Sequence, residues 1–195
     1  MKKVYRVLIT LVLVMCTVLF VACGKDDKKE KNSETKKSEY GTTENIETFD
    51  DGTEVMTETS KTKGKDDSIT DKKIITTTSP EGAKSIETTK NVQYTDGSKK
   101  EVYSVETINA DGSSEIRTKT KVEATDGTVE QTEEVTVKNV DGSSTTQKNI
   151  YSLDKDNNTT VREINITVDK DGVETKSEHV TVTDINGEVI SETQE

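Results

Sequence analysis

The chain has little of what an ordinary globular core requires. It contains no tryptophan, two phenylalanines and one proline among 195 residues, and 28% of its residues are hydrophobic. Both phenylalanines, Phe20 and Phe49, precede residue 51. Because burial of apolar surface is what offsets the conformational entropy lost on folding, this composition excludes a conventional two-layer core and makes disorder a competing interpretation.

Chemically reactive side chains are equally scarce. His179 is the one histidine, and the alternation of its segment predicts a solvated position on the polar face of a strand. The two cysteines, Cys16 and Cys23, both lie in the N-terminal segment, so Ser-His-Asp and Cys-His schemes have no support. No Gly-rich phosphate loop is present. We therefore expect no enzyme activity, no catalytic residue, no cofactor, no metal and no small-molecule substrate.

Positive charge is in deficit. The chain has 38 acidic and 27 basic side chains and a formal net charge of −11. Binding to nucleic acid depends on clustered lysine and arginine that neutralise phosphates, and a polybasic membrane patch needs the same residues. The charge balance therefore excludes nucleic-acid partners and electrostatic attachment to anionic lipid.

One long apolar run is present, and it is N-terminal. Lys2, Lys3 and Arg6 precede an uncharged stretch over 7–22, which ends in Leu19-Phe20-Val21-Ala22-Cys23-Gly24. A basic start, an apolar core and a small residue before the cleavage point are typical of a secretory signal peptide. A cysteine directly after that small residue resembles the lipobox of bacterial lipoproteins, although Phe20 stands where that family usually has leucine.

The resemblance implies a signal peptide over 1–22 and lipid modification of Cys23, which becomes the first residue of the mature protein. It also implies an extracytoplasmic location, with the lipid holding the chain on the bacterial cell membrane. An uncleaved transmembrane anchor and ordinary secretion are the alternatives, and both also place the remaining chain outside the cytoplasm.

The remainder of the chain is a strict repeat of fifteen residues. Asp-Gly or a close relative recurs at this spacing from Asp51-Gly52 to Asn186-Gly187, and ten units, the last truncated, occupy 51–195. Glycine and asparagine adopt positive φ at low cost, so each of these dipeptides predicts a tight turn. The pattern Asn/Asp-x-Asp-Gly, as in 109–112, suits a type I turn followed by a left-handed glycine, and a two-residue type I′ turn is the alternative.

Between the turns the sequence predicts strands. The segment 114–123 alternates Ile, Thr, Thr and Val with charged residues, and β-branched residues dominate the twelfth repeat position. Position six alternates over thirty residues, with Met56, Ile86 and Ile116 against Asp71, Glu101 and Gln131. This alternation favours an all-β, extended antiparallel up-and-down meander, partly single-layer. A β-solenoid and largely disordered repeats are the alternatives.

The predicted organisation is therefore a signal peptide over 1–22, the lipidated cysteine with a disordered charged tether over 23–45, and a β-repeat region over 46–195. The layout resembles the free-standing central sheet of the spirochaete lipoprotein called outer surface protein A. The turn at 154–158 begins like a calcium loop, but Thr159 replaces the glycine of such loops, so we expect plain hairpin turns.

These features predict a non-enzymatic lipoprotein that presents its repeat body for spacing, adhesion or envelope interaction. Its expected partners are the membrane, through the lipid, and an envelope polymer or protein. A repeat array suits this role because its length changes by unit duplication. The alternative is a ligand-binding or transport-associated lipoprotein, which would need a concave apolar pocket.

Overall fold

The structure is a computed structural model that describes residues 40–195, and these form eleven antiparallel strands in one open sheet. The order of the strands in the sheet is their order along the chain, so the topology is an up-and-down meander. The predicted all-β meander is confirmed, and the solenoid and disorder alternatives are wrong for these residues. The predicted signal peptide, Cys23 and most of the predicted tether lie outside the described residues.

Nine of the strands have ten residues each, and the two edge strands are shorter. The strands are β1 Gly41–Thr48, β2 Glu54–Lys63, β3 Ile69–Thr78, β4 Lys84–Gln93, β5 Lys99–Ile108, β6 Ser114–Glu123, β7 Val129–Lys138, β8 Ser144–Leu153, β9 Thr159–Val168, β10 Glu174–Thr183 and β11 Val189–Gln194. The sheet begins at Gly41 rather than at 46, because the backbone of β1 pairs with β2 although its side chains are all exposed.

The register is constant from β1 to β10, and it pairs even-numbered residues with even-numbered residues. One face of the sheet therefore carries the even-numbered strand residues and the other the odd-numbered ones; we call them the even face and the odd face. Because the repeat length is odd, each repeat position changes face from one unit to the next. This explains the thirty-residue alternation: Ile86 and Ile116 share the even face, while Glu101 lies on the odd face.

The last strand departs from this register. Thr183 pairs with Val189, but Val182 pairs with Ser191, so β11 contains one extra residue at Ile190. This irregularity is a β-bulge. After it, even-numbered residues of β11 lie on the odd face: Glu192 pairs with Thr181, and Gln194 pairs with His179. Bulges and short strands at the border of a sheet disturb its row of unpaired backbone groups and so discourage pairing with another chain.

The ten turns share one geometry. In the turn between β5 and β6, the Asn109 N–H donates to the Ser113 carbonyl at 2.9 Å and the Gly112 N–H to the Asn109 carbonyl at 3.0 Å. Gly112 has φ of 88°, and the equivalent residue of every turn also has positive φ, including Asp67 at 61° and Asn157 at 62°. The residue before it, such as Asp111, does not have positive φ. The turns are therefore type I with a following left-handed residue, and the type I′ alternative is wrong.

The sheet has almost no core. Among the described residues only Val92 and Ser68 are buried, each with 8% of its surface exposed. In β5, β8 and β9 most even-face residues are half-buried while most odd-face residues are exposed. Backbone ladders and cross-strand side-chain pairs, each contributing about 0.2–1 kcal/mol, therefore stabilise the fold in place of a packed interior. No helix within residues 40–195 has the length and apolar character that crossing a bilayer requires.

Candidate interaction surfaces

The turns form two acidic rims, one at each end of the strands. One rim comprises the turns at 49–53, 79–83, 109–113, 139–143 and 169–173, and the other those at 64–68, 94–98, 124–128, 154–158 and 184–188. Every one of these turns carries net negative charge. Since neighbouring turns on a rim are two strands apart, the acidic groups repeat about every 9.5 Å.

Most turns are held by the aspartate that precedes the left-handed residue. Asp111 Oδ1 accepts a hydrogen bond from the Ser113 N–H at 2.9 Å and another from the Ser113 hydroxyl at 2.7 Å. These bonds, the hydroxyl's first, hold the pKa of Asp111 below its ordinary value. The backbone bond recurs at Asp51, Asp66, Asp96, Asp126 and Asp141.

The last three turns use a different aspartate, at the first loop position. Asp154 Oδ1 accepts from the backbone N–H groups of Asp156 at 2.9 Å and Asn158 at 2.8 Å. The side-chain amide of Asn158 also donates to Asp154 and is the main cause that lowers the pKa of that carboxyl. Asp169 and Asp184 make the same pair of backbone bonds.

The calcium-like segment 154–158 therefore adopts the hairpin geometry of the other turns, with the Asp154 carboxylate directed at its own backbone. Across residues 40–195, no group of three or more His, Cys, Asp or Glu side chains is arranged to hold a metal ion.

His179 lies on the odd face of β10, opposite Val180 and Val182, as the alternation predicts. Its Nε2 is 2.9 Å from Glu192 Oε1 on β11, and its Nδ1 is 3.8 Å from Glu163 Oε2 on β9. The imidazole therefore joins three strands. Because both ring nitrogens face carboxylates, neither is directed at a hydroxyl that the imidazole could activate.

A shallow, open depression of about 350 Å³ surrounds this histidine. Its lining consists of polar residues from the last three strands: Glu163, Asn165, Ser177, Glu178, His179, Glu192 and Gln194. The depression offers hydrogen-bond donors and acceptors rather than an apolar wall.

All five odd-face residues of β6 are charged, and they pair with each other and with Glu133 of β7. Lys119 Nζ lies 2.8 Å from Glu133 Oε1 across the β6–β7 ladder, and Arg117 bonds to Glu115 along β6. All four side chains are exposed by more than a third of their surface, so each pair alone contributes little to stability. Together these pairs place many charged groups on this part of the face, and their opposite charges balance one another.

The odd face of β8 and β9 is different. Five of its seven exposed, uncharged residues lie together, and we call them the amide patch: Gln147, Asn149, Tyr151, Val161 and Asn165. Gln147 faces Asn165 and Tyr151 faces Val161 in the ladder. Sequence reasoning missed this patch; the available signal is that the odd-numbered positions of both strands carry one charge, Glu163, whereas all five of β6 are charged.

The predicted lipidation site, Cys23, lies outside the described residues, so its environment stays a prediction. Comparison with protein-family models, with curated proteins and with solved structures finds no match. The functional argument therefore rests on the residues and the sheet themselves.

Proposed function

We propose that this protein is a lipid-anchored, extracytoplasmic protein of a bacterial cell membrane, whose β-repeat body acts without catalysis in spacing, adhesion or contact with the envelope. The observation that carries the proposal is the open sheet. Its strands present both faces, and only Val92 and Ser68 of the described residues are buried. A fold with almost no interior exposes most of its residues, so they are accessible to partners on either face of the sheet.

The dimensions of the sheet support this role. Eleven strands at about 4.8 Å spacing extend about 48 Å across the ladder, and ten residues give each of the nine inner strands a length of about 33 Å. Each added unit would lengthen the array without changing its neighbours' contacts, since each strand contacts only the strands beside it. The lipobox-like segment ending at Ala22-Cys23-Gly24 supplies the means of attachment.

A transport-associated role is less well supported. Ligand pockets are concave and mostly apolar, with a few polar groups that fix orientation. The depression beside His179 is open and lined by polar side chains, including Glu163, Ser177 and Gln194. This geometry suits contact with an extended partner better than enclosure of a small molecule.

The anchor is tested by expressing the full chain in a bacterial host supplied with an alkyne analogue of palmitate. We expect label on the parent chain and on Cys16→Ser, which is the matched control because Cys16 lies in the segment that cleavage removes. Cys23→Ser should lose the label. Equal labelling of parent and Cys23→Ser, or a mature chain that retains residues 1–22 in its intact mass, would contradict the proposal.

A further inference from the structure

The chemical division of the odd face suggests what the sheet contacts. On β6 all five odd-face residues are charged, and they are committed to ion pairs such as Lys119 with Glu133. On the odd face of β8 and β9, two and three strands away from β6, the one charged residue is Glu163, which lies opposite Asn149 and 3.8 Å from His179. A ligand that carries no charge cannot compensate a desolvated ion, so it loses less free energy by covering this surface, with one charged residue, than by covering β6, with five.

The amide side chains of the patch are available for binding. Within residues 40–195, the side chains of Gln147, Asn149 and Asn165 make no hydrogen bond or ion pair with another residue. Each amide has two N–H donors and a carbonyl acceptor, which matches the paired donor and acceptor character of neighbouring hydroxyl groups. Three such groups, all exposed and on adjacent strands, form a hydrogen-bonding platform.

An apolar surface lies beside these amides. Tyr151 and Val161 are direct cross-strand partners, and 42% and 37% of their surfaces are exposed. Tyrosine supplies a rigid apolar ring with a polar tip at a low cost in conformational entropy. The pair therefore offers a small apolar surface next to polar groups. Such a surface can cover the C–H face of a sugar ring while the neighbouring amides bind the hydroxyl groups of that ring.

We propose that the amide patch and the adjoining depression bind a neutral glycan strand. Asn165 belongs to both, so a chain of sugar rings can continue from the Tyr151–Val161 pair into the depression around His179. The carboxylates of Glu163 and Glu192 and the two acidic rims repel anionic polymers and so select against charged glycans. This inference rests on the proposed display function, and it does not depend on the lipid.

The test uses the full chain in detergent, with insoluble chitin and insoluble cellulose as neutral probes and heparin–agarose as the anionic probe. We expect saturable binding to at least one neutral probe and none to heparin. Tyr151→Ala should weaken that binding by fivefold or more. Tyr103→Ala is the matched control, since Tyr103 is an odd-face tyrosine of similar exposure, 46%, within the charged region, and its binding should equal that of the parent.

A second variant removes the risk that Tyr151→Ala perturbs the sheet. Asn165→Asp keeps the shape of the side chain and adds a charge to the patch, so we expect weaker binding with an unchanged far-UV circular dichroism spectrum. Three outcomes would overturn the proposal: no binding to either neutral probe, equal loss in both tyrosine variants, or a concentration-dependent dimer that Tyr151→Ala abolishes, which would assign the patch to a second copy of the chain.

The two proposals fail separately. A chain that is labelled at Cys23 but ignores both neutral probes retains the anchor and loses the glycan site. A chain that is unlabelled but binds a neutral probe through Tyr151 retains the site and loses the anchor.

Discussion

Asp111 accepts two hydrogen bonds from Ser113, whereas Asp171, at the same repeat position, accepts only from the Nζ of its neighbour Lys170 at 3.0 Å. In the turn of Asp171 the backbone is held instead by Asp169. Two Asp-Gly turns that look alike in sequence are therefore stabilised by different residues.

Asp111→Ala should lower the free energy of unfolding, because it removes bonds to a backbone N–H and a hydroxyl. Asp171→Ala should change it by less than about 0.5 kcal/mol, since its contact is an exposed ion pair. Asp169→Ala should behave like Asp111→Ala. Urea denaturation of the three variants measures these values, and equal effects of Asp111→Ala and Asp171→Ala would contradict the assignment of turn-holding residues.

At the left-handed position of the turns, replacing glycine should destabilise the fold, whereas introducing glycine should not. Gly112 has φ of 88° and open space around an added Cβ, so Gly112→Ala should cost about 1–2 kcal/mol from backbone conformation alone. Asp67 has φ of 61° without being glycine, so Asp67→Gly should be neutral or stabilising. Thermal melting compares the two. A melting temperature that Gly112→Ala leaves unchanged would argue against the left-handed conformation.

Acid should weaken the turns. The pKa of Asp141 is held below its ordinary value of 3.8, first by the hydroxyl and then by the backbone N–H of Ser143. A carboxyl whose pKa is lower in the folded than in the unfolded state contributes stability that is complete above the unfolded pKa and is lost as pH falls through the folded pKa. The free energy of unfolding contributed by Asp141 should therefore be constant above about pH 5 and decline below it.

Lowering the pH toward the isoelectric point also reduces charge repulsion in the whole chain, which changes stability by itself. Comparing the parent with a variant of Asp141 at each pH separates the contribution of Asp141 from that general effect. The parent should exceed Asp141→Asn in stability at pH 7, and the difference should shrink toward pH 3. Asp171→Asn is the control, because Ser143 has no counterpart in its turn, where Val173 occupies that position. A difference between parent and Asp141→Asn that grows as pH falls would have the wrong sign for a lowered pKa.

Val92 tests how the nearly coreless sheet distributes its stability. It lies on the even face between Thr70 and Lys100 in the ladder and is 8% exposed, whereas Val161 on the odd face is 37% exposed. Val92→Ala should cost about 1–2 kcal/mol, because two nearly buried methyl groups are removed. Val161→Ala should cost about 0.5 kcal/mol or less. Equal costs in urea denaturation would indicate that the two faces are packed alike.

Much of this fold could be predicted because the repeat is regular. The regular spacing of Asp-Gly turns predicts strands of one length, and the alternation of Ile86 with Glu101 favours neighbouring strands that run in opposite directions. Which aspartate holds each turn could not be predicted, because Asp169 and Asp171 are equally plausible until the loop conformation is known.

Other features depended on pairing that no local pattern records. The segment 41–45 is polar and unpatterned, and it forms a strand because β2 offers an open border. The bulge at Ile190 leaves no mark in the sequence around it. The amide patch became visible only when the register placed Gln147 beside Asn165 and Tyr151 beside Val161.

The central claim is that the repeat body is a single layer whose two faces both meet solvent. Methyl NMR of the full chain with a soluble paramagnetic agent tests it directly. We expect signal attenuation for methyls of the even face, such as Ile74 and Ile116, and also of the odd face, such as Val105 and Val135. Methyls of one face that are all protected while those of the other are attenuated would mean that a second layer covers the sheet, and would contradict the account.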